Sequence, residues 1–250
     1  MLRHIRKGLV IAGIALGAMN TQAAVITFDD LVDSNFATTM PLLGNGDEFY
    51  QSGFWLSAAS NQPDAMPGDL VGAIVDGADV ANTCFSVVCP GNNGSHFFTA
   101  LNDGYFALGL LNNQSFNLTG FDASFVAAFG ELVPEISLIL RVLGHSADNS
   151  GTLTNDFYLS GLEGGELSFE TYVTDSLFAS TQFDYALFYG FACDGSGLCT
   201  AFGSDKGQFA LDNINVSEHV TDVSEPATLL LFGFGLVVAG MRRRSFTFMG

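Results

Sequence analysis

Basic side chains are almost missing from the body of this sequence. Of its eight Lys and Arg residues, Arg3, Arg6 and Lys7 lie at the N-terminus and Arg242, Arg243 and Arg244 near the C-terminus, leaving only Arg141 and Lys206 between. All 26 Asp and Glu residues except Glu225 fall within residues 25–223, so that span carries a net charge of −23. Such a surface repels nucleic acid and anionic lipid, because phosphate binding needs Lys and Arg to displace counterions. Nucleic acid is therefore excluded as a partner. Histidines are also scarce: outside the N-terminus only His96, His145 and His219 occur, in no His-x-x-x-His spacing, which removes the usual histidine metal motifs. Tryptophan occurs once, as Trp55. Near the C-terminus an apolar run at residues 227–241 is fifteen residues long, about 22 Å as a helix and short of a ~30 Å hydrocarbon core. No amphipathic helical period is visible between residues 25 and 223.

The two ends carry addresses. Arg3, His4, Arg6 and Lys7 precede the apolar stretch Gly8 to Met19 and the small-residue region Thr21-Gln22-Ala23-Ala24. This pattern predicts a secretory signal peptide over residues 1–24, a mature chain starting near Val25, and passage through the export machinery. The absence of a cysteine at the cleavage site argues against a lipoprotein. At the other end stand Ser224-Glu225-Pro226-Ala227-Thr228, the apolar run, then Arg242-Arg243-Arg244 and a six-residue tail, 245–250. Basic residues at both ends place both on the cytoplasmic side, with the intervening chain outside.

Between the addresses the period is two. Phe121, Ala123, Phe125, Ala127 and Phe129 alternate with more polar neighbours, as do Ile136 to Val142, Leu167 to Val173 and Phe183 to Phe191. Alternation of this kind puts one side of each strand on a core and the other towards water. Turn-rich stretches such as Gly44-Asn45-Gly46 and Pro90-Gly91-Asn92-Asn93-Gly94 separate the strands. With 24 Phe residues to fill a core, the pattern predicts an all-β chain: one jelly-roll-like β-sandwich over residues 25–216, followed by a short tether at 217–223. Cysteines form two close pairs, Cys84/Cys89 and Cys193/Cys199, which in an oxidising compartment read as local disulfides.

The outermost strands break their own phase. In Ile26-Thr27-Phe28-Asp29-Asp30-Leu31 and in Gln208-Phe209-Ala210-Leu211-Asp212-Asn213-Ile214 the apolar phase slips by one residue at a polar doublet. Each slip predicts a β-bulge. First and last strands of a sandwich often pair, which would gather Asp29, Asp30 and Asp212 into hard oxygen ligands suited to a structural Ca²⁺.

Catalytic signatures are thin. Gly144-His145-Ser146-Ala147-Asp148 is one residue away from a nucleophile elbow, but Asp148 stands where a small residue is required and turn residues follow instead of a helix, so a hairpin loop is expected. Glu131/Glu135 and Glu163/Glu166 are the carboxylate pairs a glycosidase reading would use, without supporting context. Trp55, opposite in phase to Phe54 and Leu56, is the candidate platform for stacking on a sugar, with Tyr50, Tyr105 and Tyr172 beside it as further candidates.

The C-terminal order of motif, apolar helix and arginines resembles the sorting signal of PEP-CTERM proteins, exported bacterial proteins handled by the membrane protease exosortase. Here the family's Pro-Glu-Pro reads Ser224-Glu225-Pro226, and Arg242, Arg243 and Arg244 complete the signal at 224–244. Gln208-Phe209-Ala210-Leu211-Asp212 is similar to the Gln-Phe-x-x-Asp motif of one group of these proteins, and the bordering strands resemble those of sugar-binding jelly-roll modules with a structural calcium. The resemblance implies a Gram-negative, exopolysaccharide-making producer and a chain tethered to the inner membrane by one short transmembrane sorting helix before exosortase processing. It then becomes a cell-surface or matrix component with a non-enzymatic structural, adhesive or exopolysaccharide-associated role. The alternative is a secreted polysaccharide hydrolase.

Overall fold

The best alternating stretches become the longest strands, Phe183–Cys193 and Phe209–His219, each of eleven residues. A computed structural model describes residues 21–31, 42–84, 87–128, 138–162, 165–193, 196, 198–203 and 206–219, which lie in the compact unit Thr21–His219. Residues 1–20 of the expected signal peptide (1–24), the sorting residues Ser224, Glu225, Pro226, Arg242, Arg243 and Arg244, and the expected C-terminal helix fall outside the described residues. Thr21 to Ala24, by contrast, begin the strand Thr21–Ile26, and Ser217 to His219 of the expected tether end the strand Phe209–His219. Among the described residues no helix is long and apolar enough to cross a membrane.

In chain order the strands are β1 (Thr21–Ile26), β2 (Leu42–Gly44), β3 (Asp47–Gln51), β4 (Phe54–Ser60), β5 (Leu70–Asp76), β6 (Val87–Val88), β7 (His96–Ala100) and β8 (Gly104–Leu110). They continue as β9 (Phe116–Phe125), β10 (Ala127–Ala128), β11 (Leu138–Ser146), β12 (Thr152–Leu159), β13 (Glu170–Val173), β14 (Phe183–Cys193), β15 (Cys199–Thr200) and β16 (Phe209–His219). Two layers result. One runs β3-β4-β8-β14-β11-β12, with β15 at the end of β14; the other runs β2-β5-β7-β16-β9-β13, with β1 also on β16. Their seam is a single pairing of Phe183 in β14 with Phe116 in β9. The fold is thus the expected β-sandwich, closed along one side.

Phenylalanine fills the space between the layers. Phe54, Phe106, Phe183 and Phe188 from the first sheet meet Phe98, Phe116, Phe121 and Phe209 from the second, and the largest fully buried side chains are all Phe. Phe121 packs edge-on to both Phe157 and Phe188, at 4.9 and 5.2 Å between ring centroids, a geometry favoured by the ring quadrupoles. Each such burial removes enough apolar surface to stabilise the fold by about 1.5–3 kcal/mol.

Two short helices were not visible in the period. Asp175 accepts a hydrogen bond from the Phe178 backbone N–H and caps α2 (Ser176–Ser180), while α1 (Val80–Thr83) is shorter still. A single turn cannot display a helical period; only the Asp-Ser cap at 175–176 signalled α2.

The phase slip in the last strand is a bulge. β9 pairs regularly with β16 up to Asp212, and the register shifts between Asp212 and Asn215, where Asn213 has φ +48°. On its other edge β16 changes partner at the same place: Ala210 and Leu211 pair with β7, and β1 begins at Ile214. First and last strands do pair. The bulge expected at Asp29-Asp30 is not there, because β1 ends at Ile26 and the doublet lies in a bend behind Phe28, itself at φ +60°. The apolar phase changes because the strand has stopped.

Candidate functional site

The two sheets bury their outer faces differently. On the β5-β7-β16-β9 side, Val75, Phe97, Val126 and Ala210 form a second apolar cluster with Cys89 and Phe169. A covering segment runs from α1 through the Cys84–Cys89 disulfide to Ser95. Asn92 ties it down by accepting from Phe169 N and donating to Phe169 O.

Asp212 lies under that cover, fully buried. Its carboxylate accepts from Asn93 Nδ2 at 2.6 Å, Ser95 Oγ at 3.1 Å and Asn213 N at 2.7 Å. Burial nevertheless pushes its pKa up to about 6, against those hydrogen bonds and with help from the charge on Asp29. Asp29 lies nearby with donors of its own, accepting from the backbone N–H of His96 at 3.0 Å, with His96 Nδ1 at 3.2 Å. Asp30 is exposed. The calcium set expected from Asp29, Asp30 and Asp212 is not assembled: among the described residues no group of three or more His, Cys, Asp or Glu side chains could hold a metal ion. Protein donors occupy the carboxylates that were expected to face a cation, and the missing second bulge leaves Asp30 turned out.

Among the described residues the other outer face is largely uncovered, and it is aromatic. Cross-strand register sets Tyr50 beside Trp55, Trp55 beside Gly109, Gly109 beside Tyr185 and Tyr185 beside His145. The next row on the same face is low, Ser57, Ala107, Leu187, Leu143 and Thr154. Beyond it come Ala59 paired with Tyr105, and Tyr189 paired with Arg141. The outer rows are four residues apart along a strand, ~13 Å, and six adjacent strands span ~24 Å across. Most of these side chains are only half-buried.

Small residues make this arrangement possible. A Cβ at Gly109 would lie 2.6–2.7 Å from Cζ2, Cε2 and Nε1 of Trp55, so the indole rests across the bare glycine backbone. His145 stacks on Tyr185, with centroids 5.0 Å apart and planes 9° from parallel. In the far row, Phe202 lies on Tyr189 at 5.3 Å and edge-on to Tyr105 at 6.1 Å. Arg141 sits 4.7 Å over the Phe191 ring and forms a two-point pair with Asp156, with both N···O distances 2.6 Å. That pairing raises the guanidinium pKa and lowers that of Asp156, so the guanidinium is already neutralised by a partner on the face.

Of the sequence candidates, Trp55, Tyr50 and Tyr105 share this face. Tyr172 does not: it stacks on the core residue Phe121 and donates from its hydroxyl to Tyr158 O, and burial raises its pKa. Tyr185, Tyr189, Phe191 and Phe202 are further residues of this face: for the first three, alternation alone does not say which phase faces out, and Phe202 reaches the face from a loop. At Gly144 to Asp148 the chain makes the expected hairpin between β11 and β12, with Ser146 buried. Glu131, Glu135 and Glu163 lie outside the described residues. Cys193 is bonded to Cys199, closing the β14–β15 hairpin next to the aromatic face.

At the C-terminus, residues 222–244 match the PEP-CTERM protein-sorting motif. The chain carries a PEP-CTERM sorting signal. Such a signal implies an exported protein, anchored through its C-terminus in the membrane before exosortase processes it. The PEP-CTERM match contains Ser224-Glu225-Pro226 and Arg242 to Arg244. No curated protein matches the sequence. Among solved structures, DUF4465 family proteins from Bacteroides caccae ATCC 43185 and Bacteroides ovatus ATCC 8483 are 13% and 12% identical. Both comparisons cover 79% of this chain and 99% of the other, with TM-scores of 0.47 and 0.44. TmCBM61 in complex with beta-1,4-galactotriose is 10% identical over 66% of this chain and 88% of its own, with a TM-score of 0.31.

Proposed function

We propose that the sandwich of this PEP-CTERM protein is a non-catalytic module that attaches it to an exopolysaccharide at the cell surface or in the extracellular matrix. The observation that carries the reading is the open aromatic face. Trp55, Tyr105, Tyr185 and Tyr189 line a solvent-facing sheet whose opposite number, on the other layer, is covered. Pyranose rings present apolar C–H faces that stack on aromatic rings, while their hydroxyls need acceptors and donors such as Ser57, Thr152 and Thr154 on the same side. Export to the envelope supplies the polymer as a neighbour.

Trp55 is the sole tryptophan, so its emission reports on the face directly. The test is co-sedimentation of the unit Thr21–His219 with the producer's exopolysaccharide, with emission recorded and released reducing ends assayed. Retention with a shifted Trp55 emission and no sugar release is the expected result. Release of reducing ends would establish the hydrolase instead, and absence of retention would leave the face without a glycan.

A further inference from the structure

Beyond the far aromatic row the protein has a cavity of about 790 Å³, within the ~300–1,000 Å³ range of small-ligand sites. Ser60, Gln62, Asp64, Asp69, Asn102 and Phe202 are among its lining residues. It lies at the strand ends: its lining includes Ser60, where β4 ends in register with Gly104 at the start of β8, and Asn102 just before β8. Phe202 belongs to both places: the ring that packs on Tyr105 and Tyr189 also walls the cavity. Its loop leaves the hairpin closed by Cys193–Cys199, three residues earlier. Phe202 adopts φ +57°, a conformation rare for a bulky side chain and one that marks a constrained position.

We propose that this cavity is a side-branch subsite, which admits a neutral sugar pendant from the polysaccharide whose main chain lies on the aromatic face. The proposal rests on the glycan reading of that face. Direction decides between main chain and branch. The aromatic rows run across the strands, whereas the cavity lies past the strand ends, so a chain following the rows passes its mouth and only a substituent projecting along the strands enters. Lining chemistry decides the class. Amide, hydroxyl and carboxylate groups face an aromatic wall, and among the described residues no Lys, Arg or His lines the cavity. Uronic acids, sulfates and phosphates would meet Asp64 and Asp69 without a countercharge, while neutral hydroxyls find acceptors. Two of the polar side chains are held in place: Asp69 accepts from Met66 N at 2.7 Å and Asn102 donates to Leu70 O at 2.9 Å.

The test measures binding of the unit Thr21–His219, which has its own core, to matched neutral polymers: galactomannan against linear mannan, and xyloglucan against soluble linear glucan. Trp55 emission is the readout. The expected result is about tenfold tighter binding of the branched member of a pair. Ala65→Phe, which fills the cavity from its own lining, abolishes that preference and leaves linear-chain affinity unchanged. Phe202→Ala reduces it in the same sense. Equal affinity within every pair overturns the branch subsite and leaves the aromatic face standing. A fall in linear-chain binding with Ala65→Phe also overturns it, since the cavity would then hold the chain itself. No binding of any polymer, the producer's own included, overturns both readings.

Discussion

The outer faces of the two sheets are built by the same alternation and end differently. On one, Phe97 and its row are sealed beneath the segment that carries Cys84–Cys89, and a buried carboxylate, Asp212, fastens that segment through Asn93 and Ser95. On the other, aromatic rings of the same size lie half in water, steadied by a glycine, by one another and by an arginine. Aromatic residues on a covered face are structure. On an uncovered face they cost exposed apolar area without helping the core, which is the mark of a surface kept for a ligand.

Substitution should separate the two faces most strongly at their aromatic centres. Phe97→Ala is expected to lose about 3–5 kcal/mol of stability, the usual cost of truncating a fully buried Phe, while the folded fraction still binds polysaccharide. Trp55→Ala should do the reverse, losing most polysaccharide retention with a urea midpoint close to wild type. A large stability loss at Trp55 with retained binding would erase the contrast.

At mildly acidic pH the covered face should respond through Asp212. The pKa of Asp212, near 6 in the folded state, lies above the ordinary carboxylate value, so the folded protein holds that proton more tightly than the unfolded chain does. Its contribution to stability is therefore fully present only below about pH 3.8 and is lost as pH rises from there through about 6, by up to about 2–3 kcal/mol. Urea unfolding between about pH 4 and 7 should show this slope, levelling off above about pH 6, and Asp212→Asn should flatten it whatever its absolute stability. An unchanged slope in that variant would remove Asp212 as the cause.

Smaller changes sharpen the comparison. Gly109→Ala places a methyl against the Trp55 indole and should cost about 1–2 kcal/mol by overpacking. It should also shift the single-tryptophan emission, because the ring has to lift. Thr99 lies beneath the covered side with a buried hydroxyl that has no hydrogen-bond partner among the described residues. Thr99→Val should therefore be neutral or gain about 1 kcal/mol, measured as a raised Tm. The smallest expected effect is that of a chelator. With Asp212 and Asp29 engaged by protein donors, EDTA should leave Tm unchanged; a clear fall would restore the calcium site.

How much was legible in the residues varied with the range of the interaction. Strand positions, the Phe core and the close cysteine pairs could be read because each depends on neighbours within a few residues. The slip at Asp212-Asn213 was visible as a break in phase. Its meaning was not, because that depended on β16 exchanging β7 for β1 along one edge and on Asn93, more than a hundred residues away in sequence. Similarly, the slip at Asp29-Asp30 looked like a second bulge and proved to be a strand end. Both produce the same break in alternation, and only pairing distinguishes them.

By itself, then, the sequence determined that the protein is exported and what class of fold it has. The C-terminal sorting signal is read as a linear string, and period two together with abundant Phe commits each strand to one buried side. Which outer face would be covered, and hence that Trp55, Tyr185 and Tyr189 share an open surface while Phe97 and Asp212 do not, was decided only by tertiary structure. Alternation assigns a residue to one side of its strand. What lies over that side is set by contacts between segments far apart in the chain.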